Sequence, residues 1–90
     1  MEIEWDSIKA KKNEKKHQVT FLEAASVFHD PLAVTGDDPD HSIGESRFIT
    51  FGISSSGNLL TISHTYRDDK IRIISARRAT KGEKVIYEEG

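Results

Sequence analysis

The sequence contains no cysteine, which removes disulfide scaffolds, thiolate metal sites and cysteine nucleophiles together and fits a reducing compartment. It has no apolar run near the roughly 18 residues that a membrane span requires. Its start, "MEIEWDSIKAKK", lacks the hydrophobic core of a signal peptide. The expectation is a soluble cytoplasmic protein. Also missing are a G-x-S-x-G nucleophile elbow, an H-E-x-x-H zinc pair and a glycine-rich phosphate cradle; Gly57 and Gly82 read as turn residues. Bulk positive charge is absent as well: 13 Lys+Arg stand against 15 Asp+Glu, a net charge of −2. Domains that hold nucleic acid through overall charge are strongly basic, so any such site here must be local.

What is present belongs to one small domain, residues 1–90, without repeats or linkers. At this size a chain buries roughly 60–65% of its surface, enough for one modest core. The charges are segregated. "KAKKNEKKH" and "RDDKIRIISARRATKGEK" are basic, whereas "DDPDH" and "EEG" are acidic. The first basic run reads as a solvated helix face.

Pattern then sets the elements. "EIEW" is a short extended start, and Asp6 caps a lysine-rich helix running to about Lys16. Thr20 and Glu23 form a capping box for a second helix, whose stripe Phe21, Ala24, Ala25, Phe28 faces a sheet. Asp30–Pro31 ends it. "LAVT" is a possible strand, and "GDDPDHSIGES" is a loop. Three period-two runs follow: Arg47–Ser54, Asn58–Arg67 and Lys70–Arg78, joined by "SSSG" and "RDD" as hairpins. A second capping box, Thr80 with Glu83, opens a short terminal helix. The expected class is α+β: two N-terminal helices on an antiparallel meander of three to four strands, with a short C-terminal helix. One face of the sheet is covered and the other stays largely open.

The loop carboxylates Asp37, Asp38, Asp40 and Glu45, with His41, lack the glycine and glutamate spacing of a calcium loop. They read as solvated turn residues, and no metal or other cofactor is expected. Metal-free cleavage of a phosphodiester instead needs a base, an acid and cations for the crowded phosphorane. Arginine suits the last role because its fork matches phosphate oxygens. His64, Arg67, Arg72, Arg77, Arg78 and Tyr87 lie on two neighbouring strands and the following helix, where they could converge.

The blocks "EWDSIKAKKNEKKHQVTFLEAASVFHDP", "DPDHSIGESRFITFG", "LLTISHTYR" and "IRIISARRATKGEKVIYEEG", taken in order, resemble the BrnT family of toxins from bacterial type II toxin–antitoxin modules. The resemblance implies a RelE-like fold and a metal-independent endoribonuclease that cleaves RNA and inhibits translation. It also implies a cognate BrnA-like ribbon-helix-helix antitoxin, assembled with the toxin as a heterotetramer, through which alone the toxin meets DNA. Positions that match family motifs with suitable chemistry are His17, Glu45, Arg47, His64, Arg67, Arg72, Arg77 and Tyr87. The catalytic set implied is Arg77 and Arg67 for phosphate charge, His64 as acid or base, and Tyr87 as a positioning group. Lys16, His17, Arg47, Arg72 and Arg78 are assigned to RNA binding. The alternative is a non-catalytic module that serves chiefly as antitoxin partner and co-repressor.

Strand parity sets conditions on this assignment. His64 shares a parity with Leu60, Ile62 and Tyr66, so it reaches the open face only if a bulge re-aims it. Arg77 shares a parity with Ile71 and Ile73, which points it inward, and Arg72, Arg77 and Arg78 cannot all share one face of a regular strand. Either Ile73 or Ile74 faces the core.

Overall fold

Asp6 opens the first helix as expected, its Oδ1 accepting from the backbone N–H groups of Ile8 and Lys9 at 2.8 and 3.1 Å. The computed structural model describes residues 2–41 and 44–90. In chain order they form β1 (Ile3–Glu4), α1 (Ser7–His17), α2 (Phe21–Ser26) continued by a 3-10 turn, β2 (Val34–Asp37), β3 (Phe48–Ile53), β4 (Leu59–Arg67), β5 (Lys70–Arg78) and α3 (Lys81–Glu89). Gln18 closes α1 in the left-handed region, φ 57°, where its N–H reaches the Glu14 carbonyl.

The sheet has five strands in the order β1-β5-β4-β3-β2. β2 to β5 pair antiparallel, while β1 joins β5 in parallel register. The expected three- to four-stranded antiparallel meander is therefore enlarged to a mixed sheet. A two-residue strand carries no alternation to read, which is why β1 appeared only as an extended start. Among the described residues no helix is long and apolar enough to cross a membrane.

The core lies between the sheet and the first two helices. Val19, Phe21, Ala24 and Val27 meet Leu60, Ile62, Ile73 and Ala76, all buried. Gly52 is part of this contact, since a Cβ there would lie 2.7 Å from Val27 Cγ1. Full burial of such aliphatic and aromatic side chains contributes roughly 1.5–3 kcal/mol each. The two capping boxes separate in the structure. Thr80 and Glu83 form both halves, whereas Thr20 forms only one. Glu23 turns instead to Ser54 Oγ and Asn58 Nδ2, at 2.6 and 2.9 Å, and holds the β3–β4 hairpin to α2.

The second face of the sheet is not bare. Ile49, Phe51 and Ile53 pair with Ser63, Thr61 and Leu59, and directly opposed residues share a face. These apolar residues of β3 therefore point away from the core, while Phe48, Thr50 and Gly52 point towards it. α3 lies over this second face, tied to it where Thr61 Oγ1 donates to Glu83 at 2.9 Å.

One irregularity redirects the arginines. Ser63 pairs with Ser75 and His64 pairs with Ile73, so Ile74 opposes no residue of β4 and forms a bulge. Beyond it the phase of β5 reverses. Arg72, opposite Thr65, and Arg77, opposite Thr61, consequently lie on the same face as Ser63, and Arg78, opposite Leu60, lies on the other. Ile73 is the inward isoleucine, 2% exposed.

Candidate functional site

The bulge residue helps to form a cleft of about 320 Å³ on the face opposite α1 and α2. Ile49 and Ile74 supply its apolar lining, Ser63 and Ser75 its hydroxyls, and Arg47, Arg77 and Asp38 its charged groups. Ser63 and Ser75 are direct cross-strand partners, which sets both hydroxyls side by side. Arg47 enters from the segment before β3, where its carbonyl accepts from Asp38 N–H at 2.9 Å. Two other depressions, beside Ser26, His29 and Asp30 and beside Lys11, Glu14 and Lys15, gather no arginines.

Arg77 is held by two oxygens of one carboxylate. Its Nη1 donates to Glu83 Oε1 at 2.7 Å, and its Nη2 donates to Oε2 at 2.9 Å. Glu83 Oε1 also accepts from Thr61 Oγ1 and Thr80 N–H, both at 2.9 Å. These donors, Arg77 foremost, hold the Glu83 carboxyl down at about 2. The same bond raises Arg77 above its ordinary value. The Arg77 side chain remains 40% exposed at the cleft. It is thus both ion-paired and accessible, and it stands on the face opposite to the one that regular alternation indicates.

The other arginines extend the picture. Arg72 donates to Glu4 Oε2 at 2.8 Å, and Arg67 donates to Glu45 Oε2 at 3.2 Å. Both share the Arg77 face, further along the sheet. Arg78 donates to Asn58 Oδ1 at 3.0 Å, on the opposite face. Lys16 and His17 close α1, which packs on the core side and is likewise separated from the cleft by the sheet.

His64 stays on the inward side that its parity indicates and does not reach the cleft. The irregularity does fall beside it, but the displaced residue is Ile74 on the neighbouring strand, so His64 keeps the inward parity of Leu60 and Ile62. It is fully buried against Phe28, Phe48 and Tyr66. Its Nε2 meets Thr50 Oγ1 at 2.7 Å, and Thr50 Oγ1 meets Thr35 Oγ1 at 2.7 Å. Burial lowers His64 from 6.5 to about 4, so the ring is neutral. Nε2–H donates into this hydroxyl chain, because the other tautomer would leave an N–H at Nδ1, a buried atom with no hydrogen-bond partner among the described residues.

Tyr87 is also outside the cleft. Its hydroxyl donates to Asp30 Oδ2 at 2.6 Å, which raises the tyrosine. Asp30 is lowered, first by the Ile53 N–H and then by Tyr87. The contact clamps the end of α3 to the turn after α2. Of the residues assigned from the sequence, the cleft unites Arg47 and Arg77. It adds Asp38, Ser63, Ser75 and Ile74, and Glu83 behind Arg77. Glu83 was legible as a helix cap, but nothing in the spacing of "RRATKGE" announces its bond to Arg77. Among the described residues no three His, Asp or Glu side chains converge as a metal-ligand set.

A family model described as the ribonuclease toxin BrnT of a type II toxin–antitoxin system matches residues 5–83. The fold is similar to the crystal structure of the Brucella abortus ribonuclease toxin BrnT. The TM-score is 0.69 at 19% sequence identity, over 90% of this chain and 99% of that one. No match was found among curated protein sequences.

Proposed function

The chain belongs to the BrnT family of ribonuclease toxins of type II toxin–antitoxin systems, and from that premise we propose that it is a metal-independent endoribonuclease whose substrate phosphate sits in the Arg47–Arg77 cleft. The observation that supports this reading is the convergence of two guanidiniums and two hydroxyls, brought about by the bulge at Ile74. Arg77 and Arg47 stabilise charge as the phosphorane develops. Ser63 and Ser75 donate to phosphate or ribose oxygens. Asp38 is the carboxylate at the cleft that accepts the proton of the attacking 2′-hydroxyl. As that oxygen bonds to phosphorus, the bond from phosphorus to the 5′-oxygen breaks, and the leaving 5′-oxygen takes its proton from solvent at the open cleft. Arg72 and Arg67 contact flanking nucleotides on the same face; Arg67 lies four residues beyond Ser63 on β4, about 13 Å at ~3.3 Å per residue. His64 supports the sheet beneath the site, and Tyr87 holds α3 in place.

In this reading residues 1–90 act as a single toxin domain in the cytoplasm, where RNA cleavage inhibits translation. Membership in the family implies an antitoxin partner. We take that partner to be a BrnA-like ribbon-helix-helix protein that neutralises the toxin as a heterotetramer and supplies all contact with DNA. The competing reading, a non-catalytic partner module, draws on the carboxylates already paired with Arg67, Arg72 and Arg77.

Purified protein incubated with RNA in excess EDTA separates the two. The nuclease reading expects cleavage that Arg77→Ala lowers by about 100- to 1,000-fold, the usual loss for one transition-state donor, with an unchanged circular dichroism spectrum. Wild-type protein that cuts neither free nor ribosome-bound RNA leaves the partner-module reading.

A further inference from the structure

Arg77 has five N–H donors in a planar fork, and Glu83 occupies a particular pair of them. It accepts from Nη1 and Nη2, the end of the guanidinium, and the Arg78 carbonyl accepts from Nη1 at 3.3 Å. What remains is the side of the fork, Nε–H with the second hydrogen of Nη2. These two bonds are parallel and match two oxygens of a phosphate.

We propose that Glu83 is a positioning residue that grips Arg77 end-on so that its Nε/Nη2 edge is presented to a phosphate in the cleft. This rests on the reading that the cleft is the substrate site. Three features make the grip stiff. Glu83 uses both oxygens on Arg77. Its Oε1 is fixed from two further directions, by Thr61 on β4 and by the Thr80 N–H at the start of α3. Its backbone N–H is bound by Thr80 Oγ1 at 3.2 Å, completing the capping box. The carboxylate is therefore tied to the sheet and to the helix start at once, and it stays ionised far below neutrality. A guanidinium left without it would sample several rotamers over an open cleft. The same carboxylate offsets part of the arginine charge, so the arrangement favours orientation over raw attraction.

The test uses the full chain, Glu83→Gln, Arg77→Ala and the double variant, with inorganic phosphate as the probe of the cleft. The amide introduced by Glu83→Gln keeps one carbonyl oxygen for Thr61 and Thr80 but turns its NH2 group towards Arg77. Cleavage by Glu83→Gln is expected to fall by about 30-fold in kcat with KM within about threefold, since small misplacements of a reacting-centre group reach about 100-fold. In the Arg77→Ala background the same change should have no further effect. Phosphate should shift the Arg77 Nε–H resonance of the wild type and not that of Glu83→Gln. That resonance is read on folded molecules only, so mere loss of stability does not imitate the result. Wild-type kcat in Glu83→Gln, an equal loss in both backgrounds, or no phosphate response at Arg77 in the wild type overturns the proposal. If Arg77→Ala abolishes cleavage while Glu83→Gln cleaves normally, the positioning role falls and the nuclease reading stands. If no RNA is cut but phosphate moves Nε–H only when Glu83 is present, the positioning role stands and the nuclease reading falls.

Discussion

His64 shows how a polar residue can hold a core together under one protonation state only. Its ring packs edge-on against Phe28 and Tyr66, with centroids 5.0 and 5.5 Å away, and its Nε2 enters a chain of threonine hydroxyls. Charging it would place a cation among apolar rings. Because the folded value is lowered from 6.5 to about 4, the unfolded chain binds the proton first. Its stabilisation is therefore complete above pH 6.5 and is lost as the pH falls from there towards 4. The full difference is roughly 3 kcal/mol, at ~1.36 kcal/mol for each tenfold change in proton affinity. Urea midpoints measured between pH 7 and pH 4 should fall across that window. His64→Phe fills the site without a titrating group and leaves Thr50 bonded to Thr35, so it should flatten the curve there. Glu83 contributes separately and lower: its value is depressed from 4.5 to about 2, so its stabilisation is lost only as the pH falls through that interval. A His64→Phe variant with the wild-type slope between pH 6.5 and 4 would show that the histidine is not the group responsible.

Asn13 does for the elements what His64 does for the core. It is the one buried residue of α1. Its Nδ2 donates to the carbonyls of Ala76 at 2.8 Å and Val19 at 3.1 Å, and its Oδ1 accepts from Ala76 N–H at 3.1 Å. β1 covers β5 only at Ile71 and Arg72, so at Ala76 the asparagine amide stands in for a neighbouring strand. Asn13→Ala would orphan three buried backbone groups and should lower stability by about 2–4 kcal/mol, given ~1–3 kcal/mol for each buried group left unsatisfied and partial access of water. Asn13→Asp should be no milder, because it sets a carboxylate oxygen against two carbonyls. Equilibrium urea unfolding checks both, and a loss under about 0.5 kcal/mol, the ordinary range for surface changes, would mean the clip is dispensable. The same element explains what the sequence revealed and what it hid. Helix caps, the Phe21–Phe28 stripe and the three hairpin-linked strands depend on neighbours within a few residues, so they were readable. The lysine-rich helix gave no sign that Asn13 is its anchor, because that role depends on a residue 63 positions away. In "RIISARR" the inserted residue Ile74 is chemically ordinary, and only pairing with β4 exposes it as a bulge. Parity therefore placed His64 correctly and Arg77 on the wrong side.

At the scale of the molecule the question is how a chain of net charge −2 would hold a polyanion in the proposed site. The arginines of the cleft face carry their own carboxylates, each supplied by a different segment: Glu4 from β1, Glu45 from the segment before β3, and Glu83 from α3. The exposed lysines of α1, Lys9, Lys11, Lys12, Lys15 and Lys16, stand on the other side of the sheet. RNA seated on this face would thus meet few cations, Arg47 and Arg77 in the cleft and Arg67 and Arg72 beside it. Counterion release gives a slope of log K against log salt of about −0.7 per neutralised phosphate on a single strand. Four such contacts, from Arg47 and Arg77 in the cleft and Arg67 and Arg72 on flanking nucleotides, predict about −2.8 for an uncleavable RNA analogue, and Arg77→Ala should reduce this to about −2.1. Substituting Lys11, Lys12 and Lys15 together should leave the slope unchanged. Fluorescence anisotropy from about 50 to about 300 mM salt measures all three. A slope near about −4 that collapses when the lysines are removed would move the RNA to α1 and leave the arginine cleft without its substrate. A shallow slope with tight binding would instead show that orientation within the cleft, rather than attraction at a distance, sets the affinity.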